Sequence, residues 1–386
     1  MIGVVCAGAG ARGAYEAGAL SVLLPRLFRE FPDEPVVLLG TSAGAINAAL
    51  FAGVLDRGRP PEEAVGDALR LWCQARPSQV FTGLRSTAPR LALRYGLELL
   101  GLPAMDSLLD SSPLRRTMEQ ELDWDRLHAN LAGDGRIHAA AVVATDCTNG
   151  GTRVFLEGPV AVPPPDEGRG LVYRSVPLEA VHVQASAAIP VAFLPVEIPG
   201  DGGSAWYIDG GVRLNAPIKP ALDLGAARIV VVATTPDPDS PQYGRTAGRT
   251  HDVFSVALVA LRSLLIDRMA QDVRHLRQVN ALVAAAGVGH LAASPRSRPY
   301  LHVPNLYVGP HHPDALGNAA RRVFDRYYRG PAGRLSDLGT LATLLGGLRG
   351  DHAELFSFLF FDGRFHSVLV DMGRRDAERA LDGGWR

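Results

Sequence analysis

Two short stretches of the sequence hold the residue types of a nucleophile and a base. The first is "GTSAG" at 40 to 44, a G-x-S-x-G pattern with Ser42 between Gly40 and Gly44. A serine hydroxyl attacks a carbonyl only once a neighbouring group takes its proton, so this serine demands a partner. The second stretch is "YIDGGVRLNAP", where Asp209 ends an apolar run and leads into Gly210 and Gly211. A carboxylate partly withdrawn from water at that point is a proton acceptor. Each residue also has a plainer reading: Ser42 as the N-cap of a following helix, Asp209 as the first residue of an Asp-Gly hairpin turn.

A third stretch, "GAGARG" at 8 to 13, places G-x-G-x-x-G after an apolar run and before a helical pattern. Backbone amides at a helix N-terminus receive negative charge, whether a phosphate or a developing oxyanion. A dinucleotide site also wants an acid at the end of the second strand, whereas Glu30, Asp33 and Glu34 precede that strand. Most of the 11 histidines stand in helical or loop sequence without an attendant motif, and Asp209 is a different base that the sequence offers.

These motifs need elements to hold them. "IGVVC" at 2 to 6 and "PVVLLG" at 35 to 40 read as buried parallel strands, and the stretches after them, 14 to 30 and "TSAGAINAALFAG", as helices. Strand, helix, strand, helix argues an α/β sheet. Further strands are expected at 137 to 145, 205 to 208 and 228 to 234, with a helical region from about 56 to 130. Proline and glycine mark 158 to 170 and 195 to 203 as loops. Apolar spacing predicts one long amphipathic helix over 252 to 286 and a terminal helix over "SVLVDMGRRDAERAL". The apolar run 90 to 102 is a candidate wall for an acyl groove.

Composition narrows the function classes. A net charge of -1 excludes the strongly basic surface of a dedicated nucleic-acid binder. Three cysteines fit neither a disulfide framework nor a metal-type spacing. No apolar run is long enough to span a bilayer, and "MIGVVCAGAG" lacks a signal-peptide pattern. The expected location is cytoplasmic, peripheral at membranes.

In order, "GAGARGAYEAGAL", "GTSAGAINAAL", "ASAAIPVAFLPV" and "DGGVRLNAPI" resemble the patatin-like phospholipase family. The resemblance is close over residues 2 to 235, loose over 240 to 360, and returns in the closing "FHSVLVDMGRRDAERAL". It implies a three-layer α/β/α fold with a mainly parallel central sheet and a helical C-terminal elaboration. The catalytic core would be 1 to 235, with 236 to 386 packing on it and completing the same domain. Ser42 would be the acyl-accepting nucleophile and Asp209 its partner in a dyad without histidine. The oxyanion hole would be drawn from Gly8, Ala9, Gly10, Ala11, Arg12 and Gly13, with Gly40, Gly44, Gly210 and Gly211 as supporting motif positions. Where the family usually has three successive glycines, this chain has Gly8, Ala9 and Gly10; alanine keeps the amide donor but resists positive φ.

The activity so implied is hydrolysis of carboxylic esters of lipids, of phospholipase A or lysophospholipase type, through an acyl-serine and with neither cofactor nor metal. Its partners would be a lipid or acyl-ester substrate and, transiently, a membrane surface, but no nucleic acid. The competing readings are an NAD(P)-dependent Rossmann-type oxidoreductase and a catalytically impaired lipid-binding relative.

Overall fold

The computed structural model describes residues 1–81, 111–190, 193–200, 203–243, 268–287, 290–291, 299–345, 347–348 and 351–386. The chain runs through β1 (Ile2–Cys6), α1 (Gly13–Glu30), β2 (Val36–Thr41), α2 (Ala43–Val54), α3 (Pro61–Gln74), α4 (Ser112–Glu121), α5 (Trp124–Ala129) and β3 (Ile137–Asp146). It continues through β4 (Thr152–Glu157), β5 (Leu171–Ser175), α6 (Ala180–Ser186), β6 (Val196–Ile198), β7 (Ala205–Asp209), α7 (Ile218–Asp223) and β8 (Arg228–Val232). Then come α8 (Arg268–Ala285), β9 (His290–Leu291), β10 (Tyr300–Leu301), β11 (Asn305–Val308), α9 (Ala315–Tyr327), α10 (Pro331–Arg334), α11 (Asp337–Leu344), α12 (Asp351–Ser357) and α13 (Gly363–Gly383).

Every residue of β1 and β2 is buried, because helices cover both faces of the sheet that they form. The strand order is β11-β8-β1-β2-β3-β4-β5, with β6 and β7 attached beside β3. From β11 to β3 neighbours are parallel, whereas β4 runs antiparallel to β3. One face packs on α1, α2, α3 and α13; the other packs on α7 and α8. This is the expected three-layer α/β/α arrangement. The C-terminal part joins it directly: β11 is an edge strand of the sheet, and α13 is tied to α1 by Tyr15, whose hydroxyl donates to Asp376 Oδ2 at 2.8 Å.

Four sheet strands were not legible in the sequence. β4, β5 and β11 are short and mix apolar with polar residues, so no periodicity sets them apart. The segment 195 to 203, expected as a loop, contains β6, where Val196 and Ile198 flank Glu197 and pair with β7. Of the long helix expected over 252 to 286, α8 is the described part; 252 to 267 lies outside the described residues, as does the acyl-groove candidate at 90 to 102. Among the described residues no helix is long and apolar enough to cross a membrane.

Candidate active site

Sheet register sets Ser42 against Asp209. Along one edge of β3, β2 pairs as far as Thr41 opposite Val143. The other edge carries β4. Immediately beyond the end of β2, β7 takes over the vacated edge in antiparallel sense, with Asp209 opposite Ala144. The C-terminal ends of β2 and β7 therefore meet head on, and the next residue of one chain segment, Ser42, faces the last residue of the other.

Ser42 occupies the N-cap position of α2, but its side chain caps nothing: φ is 55° and ψ is -121°, and the hydroxyl makes no capping hydrogen bond. Among the described residues it is the one non-glycine residue with positive φ. Such a conformation costs about 1 to 3 kcal/mol and persists only where the surroundings impose it. Here they do. A side chain at Gly40 would run into the Gly44 carbonyl, and one at Gly44 into the carbonyl of Cys6. The Ser42 amide donates to Ser186 Oγ at 2.9 Å, and that hydroxyl in turn donates to Val143 O at 2.6 Å. Ser186 belongs to the "ASAAIPVAFLPV" stretch of the family resemblance; its role depends on α6 crossing the end of β3.

Asp209 is 2% exposed. Its amide donates to Ala188 O at 2.9 Å, and its carbonyl accepts from Thr145 Oγ1 at 3.0 Å. Instead of a hairpin, a single 3-10 turn follows, over Gly210–Val212, with the Gly211 amide donating to Asp209 Oδ1 at 2.7 Å. Gly210 lies where a side chain would strike Val143 O. Burial pushes the carboxyl up to about 6, against the pull of the Ser42 hydroxyl and the Gly211 amide, which favour the anion. An aspartate poised near neutrality beside a serine hydroxyl is equipped to take that proton. Among the described residues no histidine is a partner of Asp209; His182 and His366 are buried, burial lowers each to about 4, and His366 Nδ1 engages Trp72 O at 2.7 Å.

The glycine loop stands against the same serine, since a side chain at Gly8 would touch Ser42 Cβ at 3.1 Å. Four of its six amides are already engaged. Gly8 donates to Asn215 Oδ1 at 2.9 Å, Ala11 to Phe358 O at 2.8 Å, Arg12 to Ala9 O at 3.1 Å, and Gly13 to Gly10 O. The amides of Ala9 and Gly10 make no backbone hydrogen bond among the described residues. Ala9 sits at φ -147°, ordinary for alanine, and the positive φ falls instead on Gly10, at 56°.

Arg12 is fully buried beneath the loop. Its Nη2 meets Glu354 Oε1 at 2.8 Å, its Nε donates to Ser357 Oγ at 2.8 Å, and its guanidinium lies 3.7 Å from the centre of the Phe358 ring. Together with the Phe358 carbonyl, this ties the loop to α12, a segment whose sequence matched the motifs only loosely. Asn215, a few residues beyond Asp209, holds Gly8.

Residues 4–222 match the model of one protein family, described as patatin-like phospholipase, over more than half of the 386-residue chain. The chain belongs to the patatin-like phospholipase family. Membership places it among lipid acyl hydrolases and sets aside the dinucleotide reading of the glycine loop. A search of the curated proteins returns no match. Among solved structures, VipD from Legionella pneumophila is 14% identical with a TM-score of 0.36, covering 100% of this chain and 67% of its own. Human GIVD cytosolic phospholipase A2, in complex with methyl gamma-linolenyl fluorophosphonate, is 13% identical with a TM-score of 0.39, covering 98% and 60%. The chain thus spans three fifths to two thirds of the length of these neighbours.

Within the patatin-like architecture, two cavities are lined by elements that carry or position the dyad, though by neither Ser42 nor Asp209 itself. A narrow apolar one of about 90 Å³ is lined by Ile46, Leu50, Trp72, Leu114, Met118 and Phe361, among others; Ile46 is one turn of α2 beyond Ser42. The second is polar and larger, and lies along β7 and α6.

Proposed function

We propose that this patatin-like protein cleaves carboxylic esters of lipids with a Ser42–Asp209 dyad, in the manner of a phospholipase A or lysophospholipase. The observation that carries the reading is the head-on meeting of β2 and β7, which sets a strained Ser42 beside a carboxylate poised near neutral pH. Asp209 accepts the hydroxyl proton as Ser42 Oγ attacks the ester carbonyl. The oxyanion forms against the amides of Ala9 and Gly10, the two in the loop with no backbone partner, an arrangement worth about 3 to 4 kcal/mol per donor. Collapse breaks the ester C–O bond, the departing alcohol takes the proton from Asp209, and the acyl group stays on Ser42. Water gives its proton to Asp209 as it attacks the acyl carbonyl, and breaking the C–Oγ bond releases the carboxylic acid while Ser42 Oγ takes that proton back from Asp209.

The apolar cavity beside α2 supports an acyl chain as the group left on Ser42. Residues 1 to 235 form the catalytic core in this reading, and 236 to 386 complete the same unit by way of β11, α12 and α13. Leu194 and Trp206, 43% and 50% exposed around the β6–β7 hairpin, support transient contact with membrane surfaces through apolar side chains.

The test is covalent labelling with a fluorophosphonate probe, followed by peptide mapping and a hydrolysis profile across acyl-chain length. A single adduct on Ser42, with hydrolysis lost in Ser42→Ala, is expected. Labelling elsewhere, or turnover by Ser42→Ala, removes the dyad.

A further inference from the structure

Between Arg12 and α12 the contacts go further than one ion pair. Arg12 Nη2 also donates to Glu354 O at 2.8 Å, and Ser357 Oγ, which accepts from Arg12 Nε, donates in turn to Glu354 O at 2.6 Å. The Phe358 ring covers the guanidinium, and the Phe358 carbonyl accepts the Ala11 amide. A side chain at Gly10 would run into that same carbonyl. The amide held by Phe358 is therefore the one immediately after the two assigned to the oxyanion, Ala9 and Gly10.

This support is itself fixed from behind. α9 crosses Glu354 so closely at Gly317 that a side chain there would press on Glu354 Oε2 and on its backbone. The Phe356 ring packs on Phe324 of α9 at 5.5 Å and on Phe360 at 4.6 Å, and Phe360 stacks on Phe365 of α13 at 5.0 Å. Stability alone gives the polar contacts little purpose. Arg12 and Ser357 are fully buried, Glu354 is 5% exposed, and Glu354 Oε2 has no hydrogen-bond partner among the described residues. Withdrawing two charges from water costs about as much as their attraction returns, and an apolar pair of similar volume would serve the fold as well. What the ion pair adds is direction: acceptors on Nε and Nη2 hold the guanidinium, and with it the Arg12 backbone, in one orientation.

We propose that Glu354 and Ser357 are positioning residues for ester hydrolysis: by gripping Arg12 from α12 they hold the glycine loop where the Ala9 and Gly10 amides meet the oxyanion at Ser42. The proposal rests on the acyl-hydrolase reading. It adds that the oxyanion site is set by a helix more than three hundred residues beyond the loop.

The variants are compared in kcat and KM for a short-chain ester, in the rate at which a fluorophosphonate labels Ser42, and in hydrogen exchange over residues 8 to 13. Glu354→Gln keeps the shape and removes the charge; kcat should fall about tenfold or more while KM stays within about twofold. The labelling rate should fall in parallel, because the phosphonyl oxygen takes the oxyanion's place. Exchange over 8 to 13 should quicken, and the pH midpoint near 6 should stay, since Asp209 is untouched. Ser357→Ala should act in the same direction and less, and Glu354→Asp, which restores the charge, should recover part of kcat. Arg12→Met combined with Glu354→Leu separates positioning from stability: the melting temperature should return to the wild-type value while kcat stays low. If kcat returns together with the melting temperature, the pair is structural and the proposal is overturned. The same follows if Glu354→Gln melts earlier but turns over and labels like the wild type; in both cases the hydrolase reading stands. A wild type that neither labels at Ser42 nor hydrolyses the ester overturns the hydrolase reading, and the proposal falls with it.

Discussion

Asp146 and Asp209 lie at the ends of paired strands, β3 and β7, and differ in the group that faces each carboxylate. Both are nearly buried, 4% and 2% exposed, and each accepts the amide two residues ahead, from Thr148 and Gly211. Burial pushes both carboxyls up. At Asp146 the Thr148 amide and the Arg153 guanidinium more than offset it, and the group stays below its ordinary range. At Asp209 no cation answers, only the Ser42 hydroxyl and the Gly211 amide, and the group rises to about 6. The same turn chemistry thus makes a fixed anion at one strand end and a proton acceptor at the other. Two things separate them: the tertiary neighbour, a guanidinium or a hydroxyl, and the deeper enclosure of Asp209.

The largest expected difference is in turnover. Asp209→Asn should lower kcat by about 10³-fold or more with the circular dichroism spectrum unchanged, since an amide accepts no proton from serine. An equal loss in Asp146→Asn would erase the distinction. Next come stabilities of opposite sign. An anionic Asp209 is a burden on the fold above about pH 6, and Asp209→Asn should raise unfolding stability at pH 8 by about 3 kcal/mol. Because the folded pKa is raised, that gain should shrink as pH falls from 6 towards 4. Asp146→Asn should instead lose about 1 to 3 kcal/mol, the contribution of a hydrogen bond to a charged group. That loss should persist down to the ordinary value of 3.8 and fade below it as pH falls through the depressed folded pKa. Urea titrations at several pH values measure both. The smallest effect is a shape: kcat/KM should fall about tenfold per pH unit below a midpoint near 6, and Asp146→Asn should leave that midpoint in place. A midpoint near 4 would make Asp209 an ordinary carboxylate and end the contrast.

Much of the site was legible because its motifs are local. Gly40 and Gly44 surround the serine whose backbone they permit, and the two strands that precede it, β1 and β2, are unbroken apolar runs. The glycine loop was legible as a group of amides, but not which of them remain free, since their partners Asn215 and Phe358 lie far along the chain. The buried Arg12 belongs with these: its sequence neighbours say nothing of Glu354 and Ser357, which reach it from a helix more than three hundred residues later. The cavity along β7 and α6 was not legible at all, because Arg153 and Arg174, two of its lining residues, lie on two short strands with no apolar periodicity to announce them.

By itself, then, the sequence determined which residues carry chemistry and which backbone positions must turn tightly, because glycine pattern and apolar runs act over a few residues. Tertiary structure alone decided that β7 would take up the edge of β3 where β2 ends, what would stand beside each carboxylate, and which loop amides would stay open. Those outcomes depend on register, burial and distant partners. The free energy of a buried charge is set by what lies within a few ångströms in space, whatever the separation along the chain.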